Sequence, residues 1–219
     1  MTSRTRRFAT VLAALFLGVQ LHAAPASAAS ITANQLLAGL TVRAEHTTGY
    51  NRDLFPHWVD ADGDSCDTRE EILIAESTTS ASVGAACKVL SGSWTSWYDG
   101  ATWTNPSDVD IDHVVALKEA WDSGAHAWTT AKRTRYANDL DYAWSLDAIT
   151  DNVNASKSDK DPAQWLPPLA ATHCSYAIHW LAVKHRWQLS IDTTEKSTLT
   201  SLLAGSCGQQ SIPEPPPGS

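Results

Sequence analysis

The sequence predicts an α+β domain, mainly helical and stapled by disulfides. Three observations carry that expectation. Helical periods of apolar residues recur at 31–44 and again through 114–140 and 175–204. Short apolar runs at 72–74 and 86–90 read as short strands or buried turns, and Asp99-Gly100, set between Trp97-Tyr98 and Thr102-Trp103, as a hairpin. Four cysteines, Cys66, Cys87, Cys174 and Cys207, stand in a chain that opens on an export signal.

That signal occupies residues 1–28. Arg4, Arg6 and Arg7 precede an apolar stretch from 8 to 21, and Ala26-Ser27-Ala28 forms a small-residue cleavage site. The stretch is shorter than the ~20 residues a spanning helix needs, so a secreted, extracellular protein is expected. Cleavage after Ala28 leaves 191 of the 219 residues, enough for one domain with a real core. The signal holds three of the sixteen Lys and Arg and none of the 24 Asp and Glu, so the mature charge falls from −8 to −11. Such an acidic balance argues against tight, sequence-independent nucleic-acid binding through a broad basic face. A hydrolase that grips a few phosphates locally remains compatible with it.

The elements follow in order. Leu36, Leu37, Leu40 and Val42 give 31–44 one apolar face. Residues 45–70 are too rich in Asp and Gly for regular structure. The stretches 114–128 and 129–140 read as helices, the second basic through Lys132, Arg133 and Arg135. Residues 175–189 form a further helix, and Asp192 with Glu195 makes a capping box opening another at 194–204. The short link makes those two an antiparallel pair, which brings Cys174 near Cys207 and leaves Cys66 for Cys87. The Pro-rich tail, 208–219, is expected to be disordered, and the working domain to span 29–207. Ten tryptophans suit either bulk core packing or a sugar-stacking platform, and their apolar neighbours favour the core.

Chemistry concentrates at Asp110-Ile111-Asp112-His113 and, forty-one positions after the histidine, Asn154-Ala155-Ser156-Lys157. A carboxylate beside an imidazole supplies a metal ligand and a base, while a neutral amide oxygen and an ammonium supply a second ligand and a phosphate contact. Strand alternation puts Asp110 and Asp112 on one face and His113 on the other, so a turn after His113 is required to bring Asp112 and His113 to one site. His46, His57, His126, His173, His179 and His185 lack such neighbours and read as structural. No His-Glu-x-x-His and no Gly-x-Ser-x-Gly is present, which removes the usual zinc-protease and serine-hydrolase signals.

These residues resemble a known family. Asp110-Ile111-Asp112-His113-Val114-Val115 with Asn154-Ala155-Ser156-Lys157 resembles the HNH (His-Asn-His) endonuclease motif in its Asp-His…Asn variant, an arrangement also seen in the HNH domain of RNA-guided DNA nucleases. The acidic run 60–69, the aromatic run 94–100 and the stretch 159–168 make the wider pattern similar to the exported actinobacterial branch of that family, over residues 49–207. The resemblance implies a ββα-metal (His-Me finger) core, with His113 as general base and Asp112 and Asn154 holding one divalent ion. Mg²⁺ suits two hard oxygen ligands, with Mn²⁺ or Ca²⁺ as alternatives. Asp110 is expected in support, and Lys157, Arg69 and Lys160 on phosphate. Asn154 stands where the family name has its last His, and Asn138 is the candidate for the middle Asn. The implied substrate is nucleic acid, DNA or RNA, cut by a monomer.

Two further readings stand beside this one: a secreted carbohydrate- or cell-wall-binding module, and a phosphodiesterase of small substrates. Asp60, Asp62 and Asp64, with Glu71 at the twelfth position, outline a calcium loop, but Ser65 sits where such loops need Gly. A structural Ca²⁺ site or a hydrogen-bonded turn around Cys66 is expected there instead.

Overall fold

The two ends of the domain are tied together before anything else is built. In the computed structural model, which describes residues 29–218, strand β1 (Ser30–Thr32) pairs antiparallel with the last strand, and Thr32 then caps helix α1 (Ala33–Gly39). Its hydroxyl takes the Gln35 amide while the Gln35 side chain returns to the Thr32 amide, so the helix begins where two orphan donors are satisfied. The helix expected over 31–44 is therefore shorter at both ends, and Val42 instead bridges to Ile191. The signal segment lies outside the described residues.

Helix α2 (Thr68–Ala75) replaces the short strand or buried turn expected at 72–74. Asp67 caps it through the Glu70 amide, and Glu70 and Glu71 lie in its positive first turn. Ile72 and Leu73 face inward while Ile74 is exposed, so the apolar triplet is one helical face and its edge. Three short antiparallel pairs follow. Strands β2 (Ser82–Val83) and β3 (Val89–Ser91) form the first, and β4 (Trp94–Thr95) and β5 (Thr102–Trp103) form the expected hairpin, with a loop wider than two residues. The third joins β6 (Val109–His113) to β7 (Leu146–Thr150), opposing Asp112 to Asp147 and His113 to Leu146.

Between β6 and β7 the chain makes a helical excursion. The helix expected over 114–128 is cut to α3 (Leu117–Asp122), because Gly124 adopts φ 133° and starts a 3₁₀ turn. Helix α4 (Thr130–Ala137) is capped by Thr129. Immediately after β7 comes α5 (Asp151–Lys157), which packs on both β6 and β7. Helices α6 (His173–Trp187) and α7 (Thr193–Leu202) follow, the latter with the Asp192–Glu195 capping box as expected. Both expected disulfides are present, Cys66–Cys87 and Cys174–Cys207.

The tail expected to be disordered is docked. Strand β8 (Ser211–Pro213) pairs with β1, Arg186 donates to the Pro216 carbonyl at 2.7 Å, and Gly218 donates to the Arg186 carbonyl at 2.8 Å. Proline-rich composition lowered the expectation of order, yet a proline has no N–H to satisfy and need only offer its carbonyl to a partner, as Pro216 does to Arg186.

Two apolar clusters result. The larger gathers Leu36, Phe55, Trp121, Trp180 and Leu199 among the helices; the smaller places Ile72, Trp94, Val109, Ile111 and Leu146 beneath the β6–β7 pair. All ten tryptophans are buried or half-buried, so their bulk serves the core and no exposed stacking platform exists among them.

Candidate active site

The β6–β7 pair and α5 bring the expected residues together. His113 ends β6, and β7 runs straight into α5, whose Asn154 and Lys157 lie three residues apart on neighbouring turns. Asp112, His113 and Asn154 line one cleft of about 200 Å³, together with Ile111, Arg52 and Asp159.

His113 is held in one tautomer. It is only 6 % exposed, and its Nε2 lies 2.9 Å from the Ala137 carbonyl. A carbonyl accepts only, so Nε2 carries the proton and Nδ1 keeps its lone pair. The ring is flanked by Trp58 and by Tyr136, with centroids at 5.8 and 6.3 Å. Burial lowers the His113 pKa to about 3; the Ala137 bond opposes that shift, and the charges of Arg52 and Lys157 reinforce it. The imidazole is therefore neutral at pH 7. Asn138, the next residue after Ala137, accepts from the Val59 amide and the Thr68 hydroxyl and donates to the Pro56 and Thr134 carbonyls. It pins the backbone that orients His113.

Asp112 is 4 % exposed and carries two strong bonds. Its Oδ1 takes the Lys157 ammonium at 2.8 Å, and its Oδ2 takes the Tyr98 hydroxyl at 2.8 Å. Burial pushes its pKa up, and those two bonds draw it back. Lys157 is fully buried and donates also to the His113 carbonyl at 2.9 Å. The phosphate contact expected of Lys157 thus meets a geometry in which its ammonium is committed to Asp112 and the backbone. Asp110 is exposed and accepts from Asn154 Nδ2 at 3.4 Å, which leaves the amide oxygen of Asn154 free. The other expected phosphate residues lie off the cleft lining. Arg69 donates to Glu70 and to the Pro106 carbonyl, and Lys160 to the Ser156 carbonyl.

Sequence reasoning missed four contributors. Arg52, from a segment read as irregular, supplies the exposed cation of the cleft, and Asp159 a further carboxylate. Tyr98 holds Asp112, and only its place in the aromatic run marked it. Asp147 faces Asp112 across the strand pair, and its Oδ2 is buried without a partner. Burial and the nearby Glu76 and Asp112 push Asp147 well above its ordinary value; Glu76, whose Oε2 accepts the Ala148 amide, is raised by burial to about 7.

The acidic turn at 60–64 is hydrogen-bonded to itself. Asp60 accepts from Gly63 and Ser65 amides, Asp62 from Asp64, and Asp64 from Cys66. These are exposed carboxylates whose oxygens converge within 4.8 Å.

A conserved-domain match decides the kinship. Residues 67–202 match the model of "GmrSD restriction endonucleases, C-terminal domain". The chain belongs to that family. The GmrSD-type region thus runs from the cap of α2 to the end of α7 and contains the whole β6–β7–α5 unit, which makes this a nuclease-family protein. A relative from Arthroderma benhamiae, described as an "Uncharacterized secreted protein", is 51 % identical over 173 residues, covering 78 % of this chain and 83 % of the relative. That relative is not actinobacterial, so the likeness extends beyond the branch the sequence pattern suggested. No solved structure matches. Among the described residues, no helix is long and apolar enough to cross a membrane.

Proposed function

We propose that this protein is a secreted, metal-dependent endonuclease that hydrolyses phosphodiester bonds of DNA, and of RNA where it meets it, with little sequence preference. The observation that carries the reading is His113, which lines the same cleft as Asp112 and Asn154 and whose Nε2 is tied to the Ala137 carbonyl, so that Nδ1 keeps its lone pair. The family match supports a nuclease, and the secreted relative supports export.

The donor chemistry fits one divalent cation. Asp112 offers the spare lone pairs of a carboxylate and Asn154 a free amide oxygen, both hard ligands on the same cleft, with Asp110 fixing the Asn154 amide. Mg²⁺, Mn²⁺ or Ca²⁺ held there would neutralise phosphate charge and the departing 3′-oxygen. The protein's own groups do the rest. His113 Nδ1 takes a proton from the attacking water, needing no prior deprotonation because burial already keeps the ring neutral. Lys157 and Tyr98 hold the Asp112 carboxylate in place. Arg52, exposed on the lining of the same cleft, contacts the phosphate, a role expected from the sequence of Lys157, Arg69 and Lys160, while Lys160 stays exposed beyond the end of α5 for the flanking backbone.

The cleft's size favours a polymer. About 200 Å³ holds a phosphate and its water, below the ~300–1,000 Å³ that encloses a whole small ligand. The absence of an exposed tryptophan leaves the sugar-binding module without a platform.

Cleavage of plasmid and single-stranded DNA with Mg²⁺ or EDTA, beside His113→Ala, tests the assignment. Metal-dependent cleavage should drop by about 10²–10⁴ in the variant with its melting temperature retained. An undiminished rate in His113→Ala, or cleavage indifferent to EDTA, would refute it.

A further inference from the structure

Six non-glycine residues among those described hold a left-handed φ, and Trp58, at 58°, carries the largest side chain of them. That region suits glycine, and a bulky residue is strained there. Such strain persists only where the surroundings over-determine the backbone. Around Trp58 they do. The Asn138 side chain donates to the Pro56 carbonyl at 2.8 Å and accepts the Val59 amide at 3.0 Å, so one side chain grips the backbone on both flanks of His57 and Trp58. Thr68, the first residue of α2, donates its amide and its hydroxyl to the Val59 carbonyl at 3.2 and 3.1 Å. His57 Nδ1 turns back to the Phe55 carbonyl at 2.9 Å.

The side chain held in this way reaches His113. The two rings lie 5.8 Å apart and are tilted by 31°. The His57 ring stands edge-on to Trp58 at 5.4 Å, and Trp58 also packs against the smaller apolar cluster beneath β6–β7. The His113 ring itself is tied through Nε2 to the Ala137 carbonyl. One such bond fixes an atom, not a plane. The plane of the imidazole, and with it the direction of the Nδ1 lone pair, is set by the flat rings beside it, Trp58 and Tyr136. Tyr136 belongs to α4 and its hydroxyl donates to the Val115 carbonyl, so that wall is fixed by regular structure. Trp58 stands on irregular chain, and its wall is fixed by the clamped bend.

We infer that Trp58 is a positioning residue: the left-handed bend holds its indole against His113 and so fixes the plane in which Nδ1 meets the attacking water. Trp58 does not line the cleft; it touches no reacting atom and acts through His113. The inference rests on His113 as the general base and adds what aims it. A side chain that only filled space would need apolar bulk. One that sets the plane of a ring needs a flat face.

Trp58→Phe and Trp58→Leu separate the two, since both keep apolar bulk and only Phe keeps a face. In cleavage of single-stranded DNA with Mg²⁺, Trp58→Leu should lose about 10²-fold in kcat, the order of loss from a misplaced catalytic group, with KM near wild type. Trp58→Phe should recover most of that loss. Ring ¹³C relaxation of His113, its signal assigned through His113→Ala, reads the positioning without any cleavage. The ring should be as rigid as the backbone in wild type and Trp58→Phe, and lose that order in Trp58→Leu. Thermal unfolding reads the strain: at this φ Trp58→Gly should melt above Trp58→Ala, the reverse of their usual order. Normal kcat in Trp58→Leu, a loss carried by KM, a loss that Phe fails to recover, a rigid His113 ring in Trp58→Leu, or alanine melting above glycine would overturn the inference. If Trp58→Leu does not fold, Trp58→Met, longer and more adaptable, takes its place. A wild type that cleaves nothing would count against the nuclease reading, and the relaxation and melting arms would still decide Trp58.

Discussion

Two lysines in this protein are completely buried, and they are used in opposite ways. Lys184 sits in the helical half, where Glu119 and Glu195 pair with it at 2.7 and 2.8 Å and Ser123 and Ser190 complete its shell. Lys157 sits behind the cleft, with one carboxylate, Asp112, and one carbonyl. The first is a closed hub tying α3, α6 and α7. The second is an open one, since Asp112 faces a cavity on its far side. Closure makes an ammonium a strut; an open side makes it a positioning device for a working carboxylate.

The largest break in that comparison is Lys184→Met. It strands two buried carboxylates and should cost about 3–5 kcal/mol, a fall of roughly 2–4 °C per kcal/mol in thermal unfolding. Cleavage measured below the new melting point should be near wild type. Lys157→Met should cost less, about 1–3 kcal/mol, because Tyr98 still serves Asp112 and the cleft can hydrate it. Its activity should nevertheless fall well beyond its stability, and a Lys157→Met enzyme that cleaves normally would remove the distinction.

Glu195, in the Lys184 hub, and His113, on the cleft, respond to pH with opposite sign. One ammonium cannot neutralise two glutamates, so burial and Glu119 raise Glu195 to about 7. A pKa raised above the ordinary 4.5 means that this contribution to stability is full below pH 4.5 and lost as pH rises through 7. Glu195→Gln should therefore flatten the loss of melting temperature between pH 5 and 8. His113 is depressed to about 3, so its contribution is full above pH 6.5 and lost as pH falls toward 3. The smallest expected effect is an absence: the pH profile of cleavage should lack the acid limb near 6.5 that an exposed imidazole would give.

Legibility in the sequence followed the range of the interaction. The Asp192 capping box and the Cys174–Cys207 bridge were readable because each is set by local spacing or by a short antiparallel turn; Cys66–Cys87 followed by elimination, and the Asp112–His113–Asn154 grouping came through the family resemblance. Helix α2 was misread because three adjacent apolar residues look alike at either period, and only the Asp67 cap separates them. The docked tail was invisible, since its order comes from β1 and Arg186, both far away in sequence. Arg52 and Tyr98 were missed for the same reason. Lys157 was found, but a sequence carries no sign of burial, and burial is what turns an expected phosphate contact into the partner of Asp112.

One feature of the fold bears on how the domain can be handled. The β1–β8 pair sets Ser30 opposite Pro213, and the Ala29 carbonyl takes the Glu214 amide at 2.8 Å. Tension applied through the two ends therefore loads that ladder bond by bond, like a zipper, and it should yield at low force before the core responds. Sewn shut by a short peptide linker, the same seam would become a circle, and the polypeptide could be opened instead at the exposed turn around Gly63.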